Sequence, residues 1–250
     1  MRKKTSLTDA LVGILMFFIL WQVAAMLLHR DILPSPLTVA PIFCRGMLGK
    51  LGLHFLASTG RVLAAVLLAL LFAVPLGLAL GQTPKLDRIV APLIAIIYPI
   101  PKIVFLPVIY VLIGISDFSK ILLIAIILFF QILVVVRDQA AGLRKELFLS
   151  VRSLGAGRRA LFRYVYLPAS ISAVLTALRL SVGTAVAVLF IAEQSLTDYG
   201  LGYYIVVETY QVLMYPEMYA GILGMAVMGV ALYFLIYAIE LKVGKHLFVE

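Results

Sequence analysis

Long apolar stretches separated by short clusters of charge organise this chain. Runs at 11–28, 62–80, 89–115, 121–136, 171–192 and 220–241 are almost free of charged residues. A membrane-crossing helix needs roughly 20 mostly apolar residues. The pattern therefore predicts about six membrane helices, the fourth extended back to 119 by Phe118 and Lys120. None of the runs alternates with the two-residue period of a membrane β-barrel. The third run is unusual: Pro92, Pro99, Pro101 and Pro107 break it, and it carries Lys102. Proline in a membrane helix frees backbone groups, so such breaks face protein or a cavity rather than lipid. After Pro34 and Pro36, much of 30–61 has the partly amphipathic pattern of a peripheral helix. The expectation is an all-α integral membrane protein, residues 1–250 forming one transmembrane domain.

Composition narrows the class. Hydrophobic residues are 64% of the 250 and charged residues 13%. A soluble domain is about half apolar and a quarter charged, so a free globule is excluded. The net charge of +9 would suit nucleic acid in a soluble protein. Here the basic residues lie between apolar runs and read as membrane topology, with no nucleic-acid partner. Arg2, Lys3 and Lys4 precede the first run, and Lys85 and Arg88 follow the second. Arg137, Arg144, Lys145, Arg152, Arg158, Arg159 and Arg163 cluster between the fourth and fifth, against Asp138 and Glu146. Lys242 and Lys245 follow the sixth. The segment 193–217 has four acids and no Lys or Arg, and 116–119 has only Asp117. The positive-inside rule then puts both termini and the loop at about 137–168 in the cytoplasm. Arg30, Arg45, Lys50 and Arg61 fit less well, being basic on the expected outer side. Val23 and Ala25 resemble a signal-peptide cleavage site, but the apolar run continues through Leu28, which suits an uncleaved span. The single Cys44 excludes an intrachain disulfide. His29, His54 and His246 are far apart and read as surface or interface residues rather than metal ligands.

The most informative stretch is LFLSVRSLGAGRRALFRYVYLPA, Leu147 to Ala169. Phe148, Val151 and Leu154 recur at a helical spacing. Gly155 and Gly157 interrupt it, and glycine permits a sharp change of direction. A second helical stretch, 158–166, is expected to close at Leu167-Pro168, where the next span begins. The segment Arg152-Ser153-Leu154-Gly155-Ala156, with Leu167-Pro168 a dozen residues on, resembles the EAA loop of ABC importer permeases. Tyr98-Pro99-Ile100-Pro101-Lys102, Leu106-Pro107 and Gly114-Ile115-Ser116 are similar to the third-span region of the nitrate, sulfonate and taurine branch. Ala192-Glu193, Gly200-Leu201-Gly202-Tyr203 and Leu33-Pro34-Ser35-Pro36 resemble other segments of that branch. One departure stands out: Leu149-Ser150-Val151 occupies the place of Glu-Ala-Ala, and the nearest acid is Glu146, three residues earlier.

The resemblance implies a type I ABC importer permease architecture (MetI-like) with a cytoplasmic coupling helix, in the cell inner membrane. It implies two ATP-binding subunits, a second permease subunit, identical or homologous, and an extracytoplasmic solute-binding protein. This chain has no GxxxxGK[ST] phosphate loop, so it is not expected to be an enzyme itself. No cofactor is expected on this chain; ATP and Mg belong to the partner ATPase. Glu146, Phe148, Leu149, Ser150, Val151, Arg152, Leu154, Gly155, Leu167 and Pro168 are the residues that would couple to it. The solute implied is a small anion such as a sulfonate or nitrate, or a vitamin precursor.

Charges within spans mark candidate pathway positions. Pro99, Pro101 and Lys102 form one group, with Lys102 either a cation beside the pathway or a snorkelling residue. Arg179 either lines the pathway or pairs at the inner interface. Glu193 either lines a gate, caps the following loop, or is a wet interfacial carboxylate. The competing function is a secondary carrier driven by an ion gradient. Such carriers often carry duplicated halves and mid-membrane ionisable groups. The halves here do not repeat, and mid-membrane acids are missing.

Overall fold

The structure is a computed structural model that describes residues 7–143, 151, 153, 155, 157–194 and 196–247. Its described residues form helices and connecting turns with no strand. Helix α1 is Leu7–Leu28, α2 Pro36–Met47, α3 Lys50–Gln82 and α4 Pro84–Ile97. Helix α5 is Leu106–Ile113, α6 Asp117–Ala141, α7 Leu167–Glu193 and α8 Tyr215–Leu247.

Four helical runs are long and apolar enough to cross a membrane: Lys50–Gln82, Asp117–Ala141, Arg159–Glu193 and Tyr215–Val243. The apolar part of α1, Val12–Leu28, is shorter. The proline-rich third run is not one straight helix. It is α4 and the pair Lys102–Ile113, bent by 83° at the break. The expected span 62–80 is part of α3, which begins at Lys50 rather than near residue 62. Residues 50–61 were expected at the periphery. They are helical because no proline stops them and because their polar side chains, His54, Ser58 and Arg61, are buried within the protein.

Local signals set the helix starts. The Ser35 hydroxyl accepts the Thr38 N–H, with Pro36 in the first turn of α2. The Ser116 hydroxyl accepts the Ser119 N–H at the start of α6. Gly114 ends α5 at φ +83°, a left-handed conformation suited to glycine.

The contacts group into two compact units, Met1–Ala57 with Glu193–Ala226, and Ser58–Ala192 with Val227–Glu250. In the first, Trp21 Nε1 donates to the Pro34 carbonyl at 3.0 Å and its ring stacks on Tyr219. Gly221 packs so closely that a Cβ would lie 2.7 Å from Ile205 and 2.8 Å from Tyr204. On α1, Phe17, Leu20 and Leu27 are exposed. That outward apolar face is what a hydrocarbon solvent permits.

In the second unit, α6 carries the core through Leu123, Ile124, Leu128, Ile132 and Leu133. Helix α3 meets it through small residues. A Cβ on Gly81 would lie 2.6 Å from the Ala140 Cβ and 2.6 Å from the Arg137 carbonyl. Two ion pairs add to this packing. Buried Arg61 on α3 holds Asp117 through Nε at 3.0 Å and Nη2 at 2.6 Å. Arg137 on α6 grips Asp87 on α4 with Nε and Nη2 together. The charge pattern places Arg137 in a basic loop. It lies instead within α6 and serves as a helix-to-helix tie.

Gly81→Val should destabilise the protein by about 2–4 kcal/mol, because backbone and Cβ atoms cannot yield to the added side chain. Gly183→Ala, where nothing lies within 4 Å, should be neutral or slightly stabilising. Thermal unfolding in detergent, followed by aggregation of the tagged chain, separates the two.

Candidate functional site

The break between α4 and α5 follows from its prolines. Pro99 and Pro101 have no N–H to give to the carbonyls four residues back, those of Ala95 and Ile97. The Ile97 carbonyl accepts the Ile100 N–H instead, and Lys102 adds a second donor there and serves two further carbonyls of the break. Its ammonium donates to the carbonyls of Ile97 at 3.0 Å, Tyr98 at 2.6 Å and Ile100 at 3.1 Å. It also lies 4.8 Å from the Phe130 ring centroid and 5.5 Å from that of Tyr98. The side chain is 8% exposed, so it does not snorkel. Among the described residues, its partners are carbonyls and aromatic faces, with no carboxylate.

A cavity of about 350 Å³ adjoins this break. Pro99, Pro101 and Lys102 line it from one side, Ile127, Phe130 and Gln131 of α6 from another, and Val188 of α7 from a third. The Gln131 Oε1 is buried and has no hydrogen-bond partner among the described residues. Sequence reading passed over Gln131. The signal was available: it is the one polar side chain in the run 121–136.

Arg179 and Glu193 are not among the residues lining this cavity. Arg179 on α7 pairs with Glu240 on α8, Nε to Oε2 at 3.0 Å. It donates from Nη1 to the Tyr233 hydroxyl and packs on the Tyr233 and Tyr237 rings. Glu240 also accepts the Thr176 hydroxyl at 2.8 Å. The arginine is therefore engaged in tying α7 to α8. Glu193 is fully buried and accepts the Gly202 N–H at 3.0 Å. It caps the following segment and is not a wet interfacial carboxylate.

That segment contains a second buried polar cluster. Gly200, at φ +127°, donates its N–H to His54 Nδ1 at 2.9 Å. His54 Nε2 lies 3.5 Å from Glu208, which Lys50 also pairs at 2.9 Å. The Tyr203 and Tyr204 rings flank the imidazole. His54 is 4% exposed, so its reading as a surface or interface residue gives way to a buried one. Burial, with the Glu217 and Glu208 carboxylates nearby, raises the Tyr204 phenol above its usual range and keeps it neutral. The residues that follow, Tyr204–Tyr210, are wound as a π-helix. The Thr209 hydroxyl donates to the Tyr204 and Ile205 carbonyls there.

Of the expected coupling residues, Glu146, Phe148, Leu149, Ser150, Arg152 and Leu154 lie outside the described residues. Val151 is helical and half-buried. Gly155 is an exposed turn at φ +80°. Arg158–Leu161 is one α turn, and Phe162–Tyr166 is π-helical. The regular α-helix α7 begins at Leu167, as expected, but Leu167 and Pro168 do not close the helix before it, contrary to the expectation above. The helical run continues from Arg159 through Glu193. The ring of Pro168 would clash with the carbonyl four residues back in a regular α-helix, and the wider π turn before it relieves that contact.

Residues 69–246 match the family described as binding-protein-dependent transport system inner membrane component. The taurine transport system permease protein of Escherichia coli (strain K12) is 32% identical over 150 residues, 60% of this chain and 54% of that protein. The match thus spans about half of that relative. The nitrate import permease protein of Synechococcus elongatus is 27% identical over 203 residues, 76% of this chain and 72% of that protein. A solved structure of inward-facing conformations of the MetNI methionine ABC transporter superposes with a TM-score of 0.65 at 18% identity. It covers 79% of this chain and 97% of the solved one, and establishes a shared fold.

His54→Leu should leave the Gly200 N–H buried without its acceptor, costing about 1–3 kcal/mol of local stability. Amide exchange across Gly200–Tyr210 should quicken accordingly. His54→Asn, whose side-chain carbonyl can stand near the Nδ1 position, should restore most of the protection. Equal exchange in both variants would show that the hydrogen bond is not what holds the segment.

Proposed function

Because the chain belongs to the binding-protein-dependent transport system inner membrane component family, we propose that it forms the translocation pathway of an ATP-driven importer of a small anion. The observation that carries the solute part of this reading is Lys102, a buried lysine with no carboxylate partner among the described residues, beside a cavity at a broken helix. Burying a charge is costly unless something compensates it. Carbonyl dipoles and two aromatic faces compensate Lys102 in part. An anion entering the cavity would complete the compensation without being trapped as it would be by a free, fully exposed cation.

In this proposal two ATP-binding subunits work with this chain and a second permease subunit, and a binding protein delivers the solute. ATP and Mg act on those ATPase subunits and not on this chain. The segment around Val151, Gly155, Leu167 and Pro168 carries the mechanical coupling, together with the neighbouring positions Glu146, Phe148, Leu149, Ser150, Arg152 and Leu154. The support is geometric. Gly155 makes a left-handed turn in open space, and Arg159–Glu193 is one continuous helical run. A push at the turn would therefore be passed along a stiff element whose Val188 lines the cavity. The proposal places both termini and the basic loop on the cytoplasmic side, where the cluster of arginines satisfies the positive-inside rule.

Tagged chain purified from its native membrane in mild detergent should bring down an ATPase in about equal copy number. Gly155→Val imposes a left-handed conformation on a β-branched residue, at about 1–2 kcal/mol. It should reduce the retained ATPase by about tenfold, since each 1.4 kcal/mol is a factor of ten. Solute uptake that persists without ATP, in a chain that purifies alone, would overturn the importer reading and favour an ion-driven carrier.

A further inference from the structure

Four basic residues sit where the charge pattern expects few. Arg61 closes on Asp117, and Lys50 on Glu208. Arg30 and Arg45 are exposed and have no carboxylate partner among the described residues. Arg45 lies on α2, a helix with two apolar faces and no acidic residue. The inner face carries Pro36, Val39 and Phe43. Pro36 and Val39 are buried, and a Cβ on Gly224 of α8 would meet Phe43 at 3.8 Å. The outer face carries Leu37, Pro41, Cys44 and, at the helix end, Leu48, all of them exposed. Their spacings of four, three and four residues put them on one side. Leu37 is 77% exposed and Leu48 94%. Each residue turns the helix by about 100°, so Arg45 and Thr38 fall on the arc beside that face. The bare apolar surface continues past the turn in Leu53 and Leu56, on the first turns of α3, which is long and apolar enough to cross a membrane.

Trp21 fixes the depth of α2. Its Nε1 donates to the Pro34 carbonyl, so the chain folds back along α1 before α2 begins. Trp21 precedes Leu28, the end of α1, by a distance of about 10 Å at 1.5 Å per residue. Its ring stacks on Tyr219, one turn inside α8. Tryptophan and tyrosine gather where hydrocarbon meets headgroups. Helix α2 therefore starts at that level and not in the water above it. We propose that α2 is a lipid-binding interfacial helix, with Leu37 and Leu48 among acyl chains and Arg45 on the headgroup phosphate of an anionic phospholipid. A helix of this kind lies in the interface with its apolar face sunk by about 5–10 Å. Around α2 the groups follow the order in which a lipid presents its own: an apolar arc, then an arginine whose planar guanidinium can take phosphate with two hydrogen bonds. A soluble protein docking from the water would not reach leucines at that depth. The inference goes beyond the importer reading and takes from it only that the leaflet at the Lys50 end of α3 is the outer one.

The chain holds a single tryptophan and a single cysteine, and Trp21 and Cys44 both report on this part of the molecule. Cys44 is exposed and can be labelled in detergent with the fluorophore NBD. The full chain, with whatever subunits copurify, is then reconstituted in vesicles of phosphatidylethanolamine with or without phosphatidylglycerol. Lipid carrying a nitroxide high on its acyl chain should quench the NBD several-fold more than aqueous iodide, and more than lipid carrying it near the chain end. Brominated lipids should give the same ranking for Trp21 in the unlabelled chain, which guards against displacement of α2 by the label. Nitroxide-bearing phosphatidylglycerol should quench the NBD at about fivefold lower mole fraction than the phosphatidylethanolamine equivalent. Arg45→Gln should remove that preference and leave the depth of the label unchanged. Quenching by iodide in preference to lipid would put the face in water, open to a soluble partner. Protection from both quenchers would mean that a second protein chain covers it. Either result overturns the proposal. Equal quenching by the two phospholipids with Arg45 in place overturns the assignment of Arg45 to an anionic headgroup.

Discussion

A chain solvated by hydrocarbon must satisfy its buried polar groups from within. This constraint explains the main features of the structure. Lys102 donates to three carbonyls of the proline-broken segment. Glu193 and His54 each accept a glycine N–H from the segment after α7. Arg61 and Arg137 each close on an aspartate of another helix. In water each of these contacts would be worth little, because water would serve as well. Where water is scarce, the contacts of Lys102, Glu193 and His54 hold irregular backbone in place, and the two ion pairs tie regular helices together.

The broken third run shows how irregularity and function are joined. A straight helix would offer lipid or protein a smooth apolar wall. The 83° bend turns backbone carbonyls inward and opens a cavity lined from three helices. The lysine that makes the bend tolerable also charges the cavity. One side chain thus serves as both structural closure and electrostatic lining, and variants at Lys102 cannot separate those roles.

Much of the fold was legible in the sequence. Apolar runs located the helices, and the prolines marked the place where one of them breaks. The family resemblance rested on motifs in their right order, and the match over residues 69–246 agrees with it. What the pattern hid was pairing. Arg137 sits 50 residues from Asp87, and Arg61 sits 56 from Asp117. No periodicity links such distant positions, so Arg61 looked like a topological misfit and Arg137 like loop charge. The start of α3 was misjudged for the same reason, since His54 and Arg61 look peripheral until their partners are known. Of the candidate site, the position of Lys102 was readable but its three carbonyls were not. Gln131 was visible as the lone polar residue of its run, yet its place in a cavity wall is revealed only by the folded chain.

The π-helical stretch Tyr204–Tyr210 bears on how this chain is compared with others. A π turn holds about one residue more than an α turn, and each residue of an α-helix advances the side chains by about 100°. A relative that winds the same stretch as a plain α-helix would be shorter there by a residue, with Glu208 and Thr209 matched to positions on other faces. Alignments drawn without a gap would then pair residues that do not share an environment. In this part of the chain, insertions and deletions of a single residue carry more structural meaning than substitutions do.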